Sequence, residues 1–161
     1  ISQSMSQLKG NIEKEDKLPA VDMNLPAFIP EDYVPQDEIR ITFYRKLLSV
    51  EDMSGLKSIR EELKDRFGII PPELINLISI MELRLFMKKL HIMSVKEAES
   101  FIFIKFESPE IFRNLSKTYK SDIQFGLAGE KEVKVNIIDI EKTGSNKIDF
   151  LKLLFKSLGN I

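Results

Sequence analysis

The chain has 161 residues, enough for one ordinary domain with its own core and too few for a motor built from paired nucleotide-binding lobes. Hydrophobic residues make up 43% and charged residues 30%, the balance of a chain that folds, and 24 basic against 25 acidic side chains leave no bulk positive field to draw it onto a phosphate backbone. With no cysteine, disulfides, thiolate metal sites and Cys nucleophiles are excluded, which fits a reducing cytosol.

No apolar run approaches the ~20 residues of a membrane span, and no basic segment leads into an apolar signal core. Ile1, Met5, Leu8 and Ile12 recur at helical spacing until Gly10 interrupts them, which predicts the tail of a helix packing on a preceding domain. Residues 13–17 then read as a charged linker. The stretch LPAVDMNLPAFIP carries Pro19, Pro26 and Pro30 and reads as extended, with any strand placed at a sheet edge.

From Gln36 to Val50 two periods compete. Ile39, Ile41 and Phe43 alternate, while Ile39, Phe43 and Leu47 repeat at helical spacing; length and a cap signal at Asp37 favour helix. From Glu51 to Phe67 the pattern is plainer, with Met53, Leu56, Ile59, Leu63 and Phe67 on one stripe and Gly68 where a left-handed cap belongs. Pro71 and Pro72 restart the chain, and Glu73 to Leu90 is apolar around most of its circumference, the pattern of a core hub. Glu82, Arg84, Lys88 and Lys89 argue that it is buried in protein and not in a bilayer.

Beta structure enters with FIFIKF, Phe101 to Phe106, a short buried strand. Ser108 and Pro109 open a helix reaching about Lys120, IQFGL forms another strand, and a turn over Ala128 to Lys131 leads to its hairpin partner carrying Val133, Val135 and Ile137. Asn146 caps a closing helix with Ile148, Leu151, Leu154, Phe155 and Leu158 inward and Gly159 at its end. The predicted class is α+β: a helical N-terminal half followed by a small, mostly antiparallel sheet packed with helices.

Chemistry is sparse. No GxxxxGK[ST] or GxGxxG is present, so no phosphate cradle is predicted. The lone His91 has no second ligand at metal spacing and no nucleophile elbow beside it, and no catalytic residue is assigned. Phe101, Phe103 and Phe106 around Lys105 weakly imitate a single-strand binding surface, though a Phe-rich core strand is the plainer reading. With Leu56 and Leu63 inward, Ser58, Glu61, Glu62 and Asp65 fall on the opposite side of their helix. Acidic residues on a solvated face need no explanation, but they could serve as acceptors for Arg or Lys of another surface.

Three stretches carry a resemblance: IPEDYVPQDEIRITFYRKL, LKSIREELKDRFGIIPPELINLI and LRLFMKKLHI. Together they resemble the C-terminal domain of bacterial transcription-repair coupling factors, the Mfd proteins, in order and spacing over about Leu25 to Ile92. The resemblance implies that 1–17 is the remnant of a translocase's last helix plus linker, and that 18–161 is a non-catalytic regulatory domain. In that family an ATP-driven DNA translocase displaces stalled RNA polymerase and recruits UvrA, with ATP and Mg²⁺ held in the motor domains. The last domain docks on the N-terminal UvrB-like module, masking UvrA binding and restraining the motor.

The family contact falls on Glu62 and Asp65, with Glu61 beside them, while Arg66, Phe67, Gly68, Pro71 and Pro72 match the motif as structural residues. Lys64 departs from the apolar residue frequent in the family. The same resemblance implies a bacterial cytoplasmic location, no membrane, and no cofactor, metal or small-molecule ligand in this part. The alternative is a nucleic-acid accessory domain of the same motor, suggested by the Phe101–Phe106 stretch with Lys88 and Lys89.

Overall fold

The computed structural model describes residues 18–118 and 123–159; the stripe Ile1–Ile12, the linker 13–17 and the expected helix end near Lys120 lie outside the described residues. Along the chain come β1 (Ala20–Asp22), α1 (Asp37–Leu48), α2 (Met53–Phe67), α3 (Pro72–Leu90), β2 (Ile92–Ala98), β3 (Phe101–Phe106), α4 (Pro109–Thr118), β4 (Phe125–Gly129), β5 (Glu132–Asn136), α5 (Ile137–Lys142) and α6 (Lys147–Gly159). The class is α+β, as the sequence predicts. Two compact units divide the chain, one over Leu25–Leu85 and one combining Pro19–Asn24 with Phe86 onward.

In the helical unit, helix wins between Gln36 and Val50, but Asp37 is not its cap. Gln36 holds the cap position without a side-chain hydrogen bond, and Asp37 sits in the first turn, where it favours the helix's positive end and accepts from Arg40 Nη2 at 2.6 Å. The next helix begins at Met53 because Asp52 Oδ1 accepts from Gly55 N at 2.7 Å, which leaves Glu51 outside it.

The helix α2 ends at Gly68, whose N–H donates to Lys64 O at 2.9 Å. Its φ of 91° lies in the positive region that the sequence predicts, but ψ is −154°, so the chain leaves extended instead of curling into a left-handed cap. Pro71 O accepts from Leu74 N and Ile75 N, and Pro72, which needs no amide partner, opens α3. Leu56 and Leu63 are buried together with Phe43 and Leu47 of α1 and Leu74, Leu77 and Ile78 of α3. Each such side chain contributes ~1.5–3 kcal/mol by leaving water. Met53, the first residue of the predicted stripe, is exposed.

In the second unit the strand order is β1-β2-β3-β5-β4, and every pairing except β1 with β2 is antiparallel. The strand after Pro19 does lie at the sheet edge. Strand β2, IMSVKEA, has no counterpart in the sequence reading: only Ile92 and Val95 are buried, and a register shift between Ile92 and Ser94 breaks the alternation that reveals a strand. Ile137 belongs to α5 and not to the hairpin. Asn136 ends β5 and its side chain accepts from Ile138 N at 2.9 Å, turning the chain into a helix.

Asn146 caps α6 as predicted. Its Oδ1 accepts from Asp149 N at 2.8 Å while its Nδ2 donates to Asp149 Oδ2 at 2.9 Å. The inward set from Ile148 to Leu158 is buried, with Phe150 added. Helices α4 and α5 pack on α6, on β3 and on β5 respectively.

Candidate functional site

The outer face of α2 brings three of the predicted residues together and gives them different roles. Glu62 Oε1 accepts from Lys46 Nζ of α1 at 2.9 Å, and its Oε2 accepts from Arg66 Nη1 one turn along at 3.0 Å. The Lys46 hydrogen bond holds the Glu62 carboxyl below its ordinary range, Arg66 adds to the shift, and partial burial opposes it. Both cations also sit over the buried Phe43 ring, Lys46 Nζ at 5.0 Å and the Arg66 guanidinium at 5.4 Å from its centroid. Glu62 is therefore the anion of an internal tie between α1 and α2.

Asp65 and Glu61 are exposed and have no ion-pair partner among the described residues. They stand one turn apart on the same side, beside Glu62, around an open depression that Ser58 also lines. Asp65 and Glu61 are each free to accept from an external cation, while Glu62 is already engaged by Lys46 and Arg66.

Beneath them, the motif residues build the end of α2. The Phe67 ring lies 5.7 Å from Tyr33 and meets Phe43 edge-on at 5.9 Å. The Tyr33 hydroxyl stands 2.8 Å from the Gly68 carbonyl and 3.1 Å from that of Leu63, satisfying the helix end from outside; burial raises its pKa. Neither Tyr33 nor Lys46 was found by sequence reasoning. They lie 30 and 16 residues from their partners, and no local spacing relates them.

The other candidates resolve into fold elements. His91 leaves α3 with a φ of 59° and its Nδ1 is 3.0 Å from Glu107 Oε2; no group of three or more metal-ligating side chains occurs among the described residues. Lys88 and Lys89 occupy the last turn of α3, where cations offset the helix's negative end. In β3, Ile102, Ile104 and Phe106 are buried, while Phe101 and Phe103 are half-buried and Lys134 Nζ covers the Phe101 ring at 4.7 Å. Lys105 stands in register with Glu132. Among the described residues no helix is long and apolar enough to cross a membrane.

The family model described as the TRCF domain matches residues 23–115, more than half of the chain and all of α2 with its flanking turns. This chain belongs to the TRCF domain family. Among curated proteins, the transcription-repair-coupling factor of Haemophilus influenzae is 28% identical over 130 residues, 75% of this chain and 11% of that protein. That of Borreliella burgdorferi is 28% identical over 157 residues, 94% of this chain and 14% of its own. That of Staphylococcus aureus strain USA300 is 28% identical over 163 residues, with 98% and 14% covered. The chain thus spans about a seventh or less of these relatives. A crystal structure of the C-terminal domain of transcription-repair coupling factor has the same fold, with a TM-score of 0.70 at 23% identity, covering 88% of this chain and 92% of that one.

Proposed function

We propose that this TRCF domain is the non-catalytic regulatory part of a DNA translocase that couples transcription to nucleotide excision repair. It docks through the acidic face of α2 on the UvrB-like module of the same longer chain, masks the UvrA-binding surface and restrains the motor until RNA polymerase is engaged. ATP and Mg²⁺ act in the motor domains of that longer chain.

The observation that carries this reading is the pair of unpartnered carboxylates, Asp65 and Glu61, inside the matched region. Like charges one helical turn apart repel, and an Arg or Lys from a docking surface would turn that cost into charge-assisted hydrogen bonds. Glu62 contributes indirectly: with its charge matched by Lys46 and Arg66, it stiffens the helix that presents the other two. Such contacts between exposed charges favour orientation and release over tight binding, which suits a latch. In the full-length protein, Glu61→Lys with Asp65→Lys is expected to raise both basal ATP hydrolysis and UvrA binding; unchanged values of both would remove the proposal.

A further inference from the structure

The edge of α2 towards α3 carries a second surface, which adjoins the acidic depression and shares Lys57 and Glu61 with it. Helices α2 and α3 leave between them an open cavity of about 640 Å³ with Leu56, Ile70 and Ile78 in its floor. Three of the exposed large apolar side chains of the chain border this one cavity: Met53, Ile75 and Ile69, which is 91% exposed. Scattered exposed apolar residues are ordinary, but three around one concave floor form a patch that water solvates poorly.

The rim is basic. Lys57, Arg60 and Lys64 follow one another at helical spacing along the cavity, are exposed, and have no ion-pair partner among the described residues. Two carboxylates share the edge: Glu82 is engaged by a neighbour within the domain, and Glu61 lies where the rim meets the acidic face. Ile69 belongs to FGIIPP, where the extended exit from Gly68 and the Pro71–Pro72 restart keep the side chain out of the core. Packing and capping account for its neighbours Phe67, Gly68 and Ile70, but not for an isoleucine left in water.

We infer that this groove is a docking site for an acidic amphipathic helix, whose apolar face covers Ile69, Ile75 and the floor while its flanking Asp and Glu meet Lys57, Arg60 and Lys64. The floor demands an apolar face, and the unpaired rim cations select the sign of what borders it. The partner differs in charge from the cationic one proposed for Asp65 and Glu61, so the two surfaces of α2 serve different partners.

The test uses the 161-residue chain and two labelled model helices, with leucines at i, i+3, i+4 and i+7 and either glutamates or lysines at the remaining positions, followed by fluorescence anisotropy. The glutamate helix is expected to bind ~10-fold or more tightly than the lysine helix, and Ile69→Asp to weaken it by a similar factor, the scale of losing one interface anchor. Ile69→Asp leaves the core untouched, and circular dichroism verifies the fold. Lys57→Glu with Lys64→Glu reverses the preference, whereas Glu61→Lys with Asp65→Lys leaves it unreversed even if the latch reading fails. Equal binding of the two helices, indifference to Ile69→Asp, or a self-association of the chain that Ile69→Asp abolishes would each overturn the proposal.

Discussion

Lys46 Nζ and Glu62 Oε1 stand 2.9 Å apart, joining α1 to α2 across 16 residues of sequence, with Arg66 closing the other side of the carboxylate. The contact places a charge cluster on the Phe43 ring at the point where the two helices meet. It also engages one of the three carboxylates on that face of α2 within the domain.

Removing that anion has a defined pH signature. Glu62→Gln is expected to cost no more than ~0.5–1 kcal/mol near neutrality, since the side chain is 36% exposed and solvent screens the pair. The folded-state carboxyl is held low, so its stabilisation is complete above the unfolded value of about 4.3 and disappears as pH falls through the lower folded value. Urea unfolding of both proteins should therefore give a gap at pH 7 that narrows as pH falls below about 4.3; a gap that does not narrow in acid would place its origin outside the ion pair.

Tyr33 provides the opposite sign. Burial raises its pKa, so the stabilisation it contributes is present below the ordinary value of about 10 and is lost as pH rises through the folded one. Tyr33→Phe is expected to lose ~1 kcal/mol at neutral pH, the worth of one hydrogen bond to the carbonyls of Gly68 and Leu63, and to flatten the alkaline arm of the stability profile. Thermal melts at pH 7 and pH 11 measure both.

Gly68→Ala separates backbone conformation from packing. A Cβ there would meet nothing within 4 Å, yet φ 91° with ψ −154° is a conformation that only glycine adopts at ease. The expected cost is ~1–3 kcal/mol of stability with little change in the unfolding slope. A neutral substitution would mean that the exit from α2 relaxes freely.

Leu63→Ala probes the hub. Leu63 is fully buried among Phe43, Leu47 and Leu74, so truncation should cost ~2–5 kcal/mol, depending on how far the site collapses. Chemical denaturation compared with Ile69→Asp, expected to lie within ~0.5 kcal/mol of the parent because that side chain is exposed, tests the division of the motif into core and surface.

Elements whose buried faces repeat regularly were legible in the sequence. Leu56, Leu63 and Phe67 announced α2, Ile148 to Leu158 announced α6, and Ile102, Ile104 and Phe106 announced β3. Strand β2 was not legible, because its bulge and its polar Ser94, Lys96 and Glu97 erase the alternation, and its place is decided by pairing with β3. The short α5 was hidden for a related reason: Ile137 continues the strand pattern of Val133 and Val135, and only the Asn136 cap marks the change. At the candidate site, helical spacing brought Glu61, Glu62 and Asp65 to one face, but Lys46, one of the two cations that engage Glu62, comes from another helix, and spacing within α2 held no trace of it.

The availability of Asp65 and Glu61 is what the regulatory proposal stands on, and UvrA binding by the full-length protein tests it most directly. With Glu61→Lys and Asp65→Lys, affinity for UvrA is predicted to rise about 5-fold or more, the lower end of a typical coupling between sites. Affinity equal to that of the parent protein, with the fold intact by circular dichroism, would contradict the account.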